Sequence, residues 1–555
     1  MSTNEKLWHS AVIFALAIPF FINLGVSSLW DANESFYAET PREMLETRDF
    51  LAPQFNYQPR TQKPPLTYWA IALSYAAFGI TEFAVRLPGA LAALGVVIFT
   101  YLTARLLHSP PAALIAALAT ATTLRVFILA RRLPIDILLL FMLAATAFFL
   151  IRGLMRDSSW NWALAYVCSG LAFLTKGPVG VLIPFGAYLA WALGSRTFRL
   201  RRMRPILGGM LFFAVVFPWY LAIYLRSGWT YIAAFFLRDN LGRFASDVMG
   251  PSRGPFFYLG SYLADFFPWS VLSLAALAGL WLRRRVGAFL SDPAWGLPLA
   301  WCALVFATFT LSKNKQEYYI APVYPMMSVI MGGLIDRWFN AEGRSIGVTE
   351  RRIWQVALFA SAALLLAAGS VAPLILRSIL PEVPVTLEFG PSLLIFAGAA
   401  AVIFTAWHRH MVAAVVSLGA CVWLLLLFSS VFVLPRLETL RPIKSICASL
   451  KPNLVPDDEV GYYRATAPSM VFYLGRPVFE EFDADRMIDR FRSGKRVFCV
   501  MSGEDLGYFV GNRGLSLYVL DRRPRLTTRL RDIRDDSGWR RRMLHLVSNR
   551  APATN

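Results

Sequence analysis

The sequence predicts a polytopic α-helical membrane protein carrying a small α/β domain at its C-terminal end. Of its 555 residues, 56% are hydrophobic and only 16% charged, where an ordinary soluble domain is nearer about a quarter charged. The mean hydropathy is +0.50. Apolar runs of about 20 residues, enough for a helix to cross the hydrocarbon core of a bilayer, recur along most of the chain. Beyond residue 434 they give way to short apolar stretches in polar sequence.

About thirteen spans are expected, near 9–29, 85–107, 111–130, 134–151, 160–175, 178–194, 206–225, 256–282, 294–311, 318–336, 353–377, 391–407 and 411–434. The first run has no small-residue cleavage signature and reads as a retained span. The run 66–79 is apolar but short, and reads as an interfacial helix. With the N-terminus in the cytoplasm, the basic stretches RTFRLRRMR (196–204), RRR (283–285), Arg337 to Arg352 and HRH (408–410) all fall inside, as the positive-inside bias requires. The outer side then holds 30–84, the turns near 131–134, 176–178 and 312–317, the loop 226–255, and everything after 434. The net charge of +20 is explained by cytoplasmic loops facing anionic lipid, so the expected partner is the bilayer and not nucleic acid.

The expected division is a membrane domain 1–434, an outer α/β domain 435–520 and an Arg-rich tail 521–555. In the α/β domain SICASL suggests a helix, and VGYYRA, MVFYLG and RVFCVM suggest strands. Cys168, Cys302 and Cys421 fall in apolar runs as buried thiols. A Cys447–Cys499 disulfide is compatible with an extracytoplasmic C-terminal part. No CxxC or zinc-like spacing occurs, so no metal constellation is evident.

Chemistry-bearing residues collect on the outer side. LWDANESFYAETPREMLE (29–46) follows the first span and holds Asp31, Glu34, Glu39, Glu43 and Glu46. TPRE (40–43) is a helix-start signature, which gives Glu43 and Glu46 a structural reading. Asp31, Glu34 and Glu39, beside Trp30, Phe36 and Tyr37, are either wetted loop acids or partly desolvated bases. In QPRTQKPPLTYW, Lys63 precedes two prolines and is held extended, which suits an ammonium gripping a lipid phosphate or one snorkelling to the interface. LARRLPIDILL sets Arg131, Arg132 and Asp136 at the end of a span. Asp136 lies just inside it, either as a functional acid or as a cap paired with an Arg. FLTKGPVG adds Lys176, RDNLGRF adds Arg238, Asp239 and Arg243, and SKNKQEYYIAP adds Lys313, Lys315, Glu317 and Tyr319. Acids with a ring of cations and tyrosines on one membrane face can hold a phosphate-linked donor and deprotonate an acceptor.

The ordered set WDANESFYAETPREML, QPRTQKPPLTYW, FAVRLPGAL, ARRLPID, LTKGPVG and KQEYYIAP resembles the GT-C glycosyltransferases of the protein O-mannosyltransferase and lipid A aminoarabinose transferase superfamily. The likeness is strongest to the bacterial aminoarabinose branch, whose small periplasmic domain SMVFYLGRPV (469–478) is similar to. The resemblance implies inverting transfer of a sugar from a polyprenyl-phosphate carrier to a lipid A, glycan or protein acceptor. The site is implied to be on the periplasmic face of a bacterial inner membrane. It also implies a carboxylate from Asp31, Glu34 or Asp136 as base or orienting group, and Lys63, Arg131, Arg243, Lys315, Tyr37 and Tyr319 around the donor phosphate. No cofactor is required, although a divalent cation is compatible with phosphate chemistry. Asn33 and Gln62 stand where the family usually has acids, and an Asn cannot accept a proton usefully. Two other classes remain: a transporter, for which mid-membrane charge and repeated halves are missing, and a homologue that binds the carrier without turnover.

Overall fold

The computed structural model describes residues 2–132, 134–245, 253–282, 286–339, 348–380, 384–526 and 543–551. Among these, seven helices are long and apolar enough to cross a membrane, or nine if each of two bent pairs is one span. Each expected span overlaps a helix or a bent pair, but those at 9–29, 160–175, 178–194 and 318–336 fall on helices outside these nine; the chain is an integral membrane protein.

The first helix, α1 (Thr3–Phe21), starts and ends earlier than expected. Ser2 and Glu5 form a capping box: the Ser2 hydroxyl accepts from the Glu5 amide, and the Glu5 carboxylate accepts from the Ser2 amide. At the far end Arg131 donates to the carbonyls of Pro19 and Ile22, 2.8 Å each, which satisfies groups left open by the last turn.

The outer loop then forms α2 (Asn33–Thr47), which runs straight through the expected start at Thr40 with Pro41 in its interior. Proline breaks a ladder bond, but Tyr37, Ala38 and Met44 are buried on this helix, and their packing outweighs the loss. A short hairpin, β1 (Gln54–Phe55) and β2 (Gln58–Pro59), leads to α3 (Leu66–Phe78), the short apolar helix expected at 66–79.

Next come α4 (Glu82–Leu107), α5 (Pro110–Ala121), α6 (Leu124–Arg132), α7 (Pro134–Arg156), α8 (Ser159–Lys176) and α9 (Val179–Gly194), with α7 packed on both α4 and α8. Two expected straight spans are bent: α5 and α6 meet at 57°, and Phe257–Asp265 meets Trp269–Ala278 at 113°. A bidentate pair ties the two breaks together, Arg125 to Asp265 at 2.8 and 3.0 Å, with the Tyr324 hydroxyl donating to Asp265 at 2.9 Å. At Gly177, φ is +85°, a conformation that costs glycine least. It ends α8 immediately after Lys176, and a Cβ there would meet the Phe235 ring at 2.7 Å.

The C-terminal unit is a five-stranded sheet: β3 (Glu459–Tyr463), β4 (Phe479–Glu481), β5 (Val497–Ser502), β6 (Tyr518–Pro524) and β7 (Met543–Ser548), in the order β4-β3-β5-β7-β6. Strand β3 runs parallel to β4 and β5, while β7 is antiparallel to β5 and β6.

Three expectations need correction here. MVFYLG is not a strand but most of the helix Ser469–Leu474. Its apolar run is buried on nearly every side, so alternation carries no information there. The sheet also continues beyond residue 520 through β6 and β7, which moves the domain boundary. The rest of the expected tail, 527–542 and 552–555, lies outside the described residues. Cys447 and Cys499 are buried and free. Phe498 and Val500 pack with Cys447 in one apolar cluster, while Cys499 lies with Val497 and Met501 in another. Alternation along β5 therefore turns the two thiols to opposite faces.

The exit from α1 is held by Arg86 of α4. It is 2% exposed and pairs with Glu34, 1% exposed, at 2.6 and 3.0 Å. The same guanidinium donates to the carbonyls of Leu24, Ser27 and Ser28 at 2.7–2.9 Å. Removing one partner strands a buried charge, which costs about 3–5 kcal/mol. Arg86→Met is therefore expected to lower the thermal unfolding midpoint in detergent strongly, and Arg86→Met with Glu34→Gln to recover part of the loss. Equal midpoints for the single variant and the parent would contradict this.

Candidate active site

A cavity of about 570 Å³ opens among α2, the segment leading into α3, the start of α7, the end of α8 and the segments 236–244 and 308–322. Its acid is Asp136, in the first turn of α7. Asp136 forms an ion pair with Lys176, the last residue of α8. The Lys176 ammonium lies 5.1 and 5.2 Å from the ring centres of Tyr318 and Tyr319, within cation–π range. The carboxylate is thus fixed between a helix start and an ammonium whose other side is aromatic.

Two further cations line the same cavity. Lys63 lines the cavity just before Pro64 and Pro65, and Pro65 caps α3. Arg60 lines it too. Its guanidinium stacks on the Phe36 ring at 4.4 Å, and its Nε donates to the Tyr68 hydroxyl at 3.1 Å. Tyr68 is stacked on Tyr37, 5.8 Å between centres, and the Tyr231 hydroxyl donates to the Arg60 carbonyl at 3.0 Å. Arg60 has no carboxylate within ion-pair distance among the described residues, so its fork remains available to an anion. Asp239, 4% exposed, Asn33, Gln62, Asn240, Thr308 and Ser312 add further polar groups to the lining.

Of the residues singled out in the sequence, Asp136, Lys63, Tyr37, Tyr319, Lys176 and Asp239 line this cavity. Asp31 does not: its two oxygens accept from the Ser469 amide and hydroxyl at 2.7 and 2.8 Å, capping the helix Ser469–Leu474. Glu34 is committed to Arg86, and Arg131 to the end of α1. Lys315 is buried and donates to the Ser312 carbonyl at 2.6 Å. Arg243 begins the short helix Arg243–Ala245, and its side chain lies outside the described residues. Sequence reasoning assigned no role to Arg60; the available signal was a cation on the outer side, against the charge bias, three residues before Lys63. Among the described residues no group of three or more His, Cys, Asp or Glu is arranged to hold a metal ion.

The first loop is instead a docking platform. Besides Asp31–Ser469, the Leu29 amide donates to the Tyr473 hydroxyl at 2.8 Å, and Asn56 exchanges two hydrogen bonds with Val478, 2.8 and 2.9 Å. Ser28 donates to Glu438 at 2.7 Å, and Lys444 pairs with Glu82 at 2.6 Å. Within α2, Glu39 takes two bonds from Arg42, 2.9 and 2.7 Å. Burial and the nearby Glu39 push the Glu43 carboxyl up from its usual range.

Residues 62–221 match the family model for dolichyl-phosphate-mannose-protein mannosyltransferases. An undecaprenyl phosphate-α-4-amino-4-deoxy-L-arabinose arabinosyl transferase of Edwardsiella ictaluri is 31% identical over 365 residues, 64% of each chain. The whole chain superposes on the crystal structure of ArnT from Cupriavidus metallidurans bound to undecaprenyl phosphate, with a TM-score of 0.78 at 21% identity and full coverage of both. The chain has the fold of that structure. It also resembles an uncharacterised protein of Aquifex aeolicus, 27% identical over 476 residues, covering 84% of this chain and 87% of the other. The chain spans a little under two thirds of the Edwardsiella enzyme, 64%. The membrane unit and the C-terminal unit meet at the first loop, where Asp31 sits.

Burial raises the Asp31 carboxyl to about 6, against the lowering effect of its Ser469 bonds. A folded-state value above the unfolded one, 3.8, means the contribution is full below about pH 4 and is lost as pH rises through about 6, a change of about 3 kcal/mol. Amide exchange in 469–474 is expected to slow on going from about pH 7 to pH 5, after correction for intrinsic rates. Asp31→Asn, whose Oδ1 still accepts from the Ser469 amide while its Nδ2 donates to the Ser469 hydroxyl oxygen, is expected to flatten that dependence; an unchanged slope in the variant would contradict the assignment.

Proposed function

We propose that the chain is an inverting glycosyltransferase that moves a sugar from a polyprenyl-phosphate carrier to a lipid A, glycan or protein acceptor on the periplasmic face of a bacterial inner membrane. The N-terminus is cytoplasmic and the C-terminal sheet periplasmic in this reading. The observation that carries it is the single cavity in which Asp136, fixed by Lys176, faces the cations Lys63 and Arg60. The ArnT-like family and the apolar helices that flank the site support it.

The acceptor oxygen attacks the anomeric carbon from the side opposite the phosphate. The bond between that carbon and the phosphate oxygen breaks, and the polyprenyl phosphate leaves with the electron pair. Lys63 and Arg60 offset the charge that develops on it. Asp136 takes the acceptor's proton or orients its donor group, and Lys176 holds the carboxylate in place. Asp31 and Glu34 have no part in this step, because both are spent on the docking platform and the buried pair. Neither a metal nor another cofactor is assigned a role. Asn33 on the cavity wall cannot take a proton, which favours the second reading: a carrier-binding homologue without turnover.

Release of free polyprenyl phosphate, followed with a panel of lipid-linked sugars and membrane acceptors, separates the two. Lys63→Ala and Asp136→Asn are expected to lower release by about 10²–10⁴-fold, and Asp31→Asn to leave it within about threefold of the parent. Carrier binding without release from any donor would establish the second reading. Release abolished by Asp31→Asn but not by Asp136→Asn would overturn the assignment of the base.

A further inference from the structure

Outside the cavity a second group of cations surrounds Trp30. The Arg132 guanidinium lies 3.5 Å from the Trp30 ring centre and that of Arg441 3.9 Å. Two groups that close must occupy opposite faces, so the indole is sandwiched. Arg441 is 8% exposed, and both its terminal nitrogens are buried without a hydrogen-bond partner. Arg132 and the Trp30 indole N–H likewise have no hydrogen-bond or ion-pair partner among the described residues.

The nearby acids do not supply one. Glu34 is paired with Arg86, Asp31 with Ser469, Glu438 with the Ser28 amide, and Glu82 with Lys444. Burial, together with repulsion from Arg86, holds the Arg441 guanidinium down at about 10 despite the attraction of Glu34. A buried guanidinium with its fork empty is costly. Stacking on the indole compensates only in part, because it engages the flat face of the guanidinium and leaves the in-plane N–H donors unused. Those donors, from two guanidinium groups on either side of one indole edge, match an oxygen-rich anion large enough to bridge them. Trp30 and Arg132 are half-buried while both terminal nitrogens of Arg441 are enclosed, so an anion would enter from the Arg132 side.

We propose that Arg132, Trp30 and Arg441 form an anion site of the phosphate-ester class, separate from the cavity of Asp136 and Lys63. It sits where the membrane domain, the first loop and the C-terminal sheet meet. An anion there ties Arg441, which leads into the C-terminal unit, to Arg132 at the end of α6. The ligand chemistry is that of a phosphomonoester, carried either by a lipid headgroup at the outer leaflet or by free phosphate. The inference does not depend on the transferase reading, and its test is binding, not turnover.

The test uses the full-length protein in a neutral detergent. Ligand-induced shifts of the unfolding midpoint are titrated with short-chain phosphatidic acid, inorganic phosphate and, as control, short-chain phosphatidylcholine. The titrations are run on the parent, Lys63→Ala, Arg132→Gln, Arg441→Gln and Arg441→Lys. A midpoint shift is expected with a phosphomonoester in both the parent and Lys63→Ala, because the cavity is not its source. At least a tenfold weaker apparent affinity is expected in Arg132→Gln and in both Arg441 variants. An Arg132-dependent shift with phosphatidic acid alone assigns the site to a lipid headgroup; the same shift with inorganic phosphate assigns it to a free phosphate group. Affinities in Arg132→Gln equal to the parent's, a shift lost in Lys63→Ala, or no shift with either phosphate probe would overturn the proposal. Arg132 is half-exposed, so its variant reports even if the Arg441 changes prevent folding.

Discussion

The structure depends on one buried ion pair, Glu34 with Arg86. Neither group is solvated, and neither is tolerable there alone. What makes the pair stable is that the Arg86 fork also satisfies three carbonyls where α1 ends, while the second oxygen of Glu34 accepts the Trp30 amide at 2.7 Å. The chain therefore leaves the membrane at a fixed point and in a fixed direction. From that point Asp31 reaches the C-terminal helix, Trp30 is presented between two guanidinium groups, and α2 is laid down so that Tyr37 and Asn33 border the cavity.

This anchoring divides the outer charges into two sets. Asp31, Glu34, Glu82 and Glu438 have partners that fasten the first loop to α4 and to the C-terminal unit, and Glu39 is held within α2 by Arg42. Asp136 is different: it projects from the start of α7 into the cavity, and its partner Lys176 comes from the neighbouring helix at the point where Gly177 ends it. Lys63 and Arg60 reach the same space from a stiff, proline-led segment. An acid held by an ammonium, beside a guanidinium held by aromatic stacking and a lysine on a proline-led segment, is an arrangement with fixed charges and little freedom to relax, which is what electrostatic stabilisation of a leaving group requires.

Much of this was legible in the sequence. The spans were, because a bilayer imposes a length and an apolar composition that any window reveals. The gathering of Asp136, Lys63, Tyr37 and Tyr319 in one place followed from the motifs. The bends were not legible, since they depend on Arg125 meeting Asp265, 140 residues away. The role of Asp31 was not legible either: its partner Ser469 is 438 residues downstream, and a carboxylate beside aromatics at a membrane exit has the same local signature whether it caps a helix or abstracts a proton. The strand expected at MVFYLG failed for a related reason. A fully apolar hexapeptide fits either period, and the cap that decided the matter came from the other domain.

The most direct test of this division of labour is an experimental structure of the protein with a non-transferable polyprenyl-phosphate sugar analogue bound. The account predicts the phosphate within hydrogen-bond distance of Lys63 and Arg60, about 2.7–3.2 Å. It also predicts the Asp136 carboxylate on the opposite side of the anomeric carbon, with Asp31 still on Ser469. A phosphate seated elsewhere with the Asp136 cavity empty, or Asp31 swung from Ser469 onto the sugar, would contradict it.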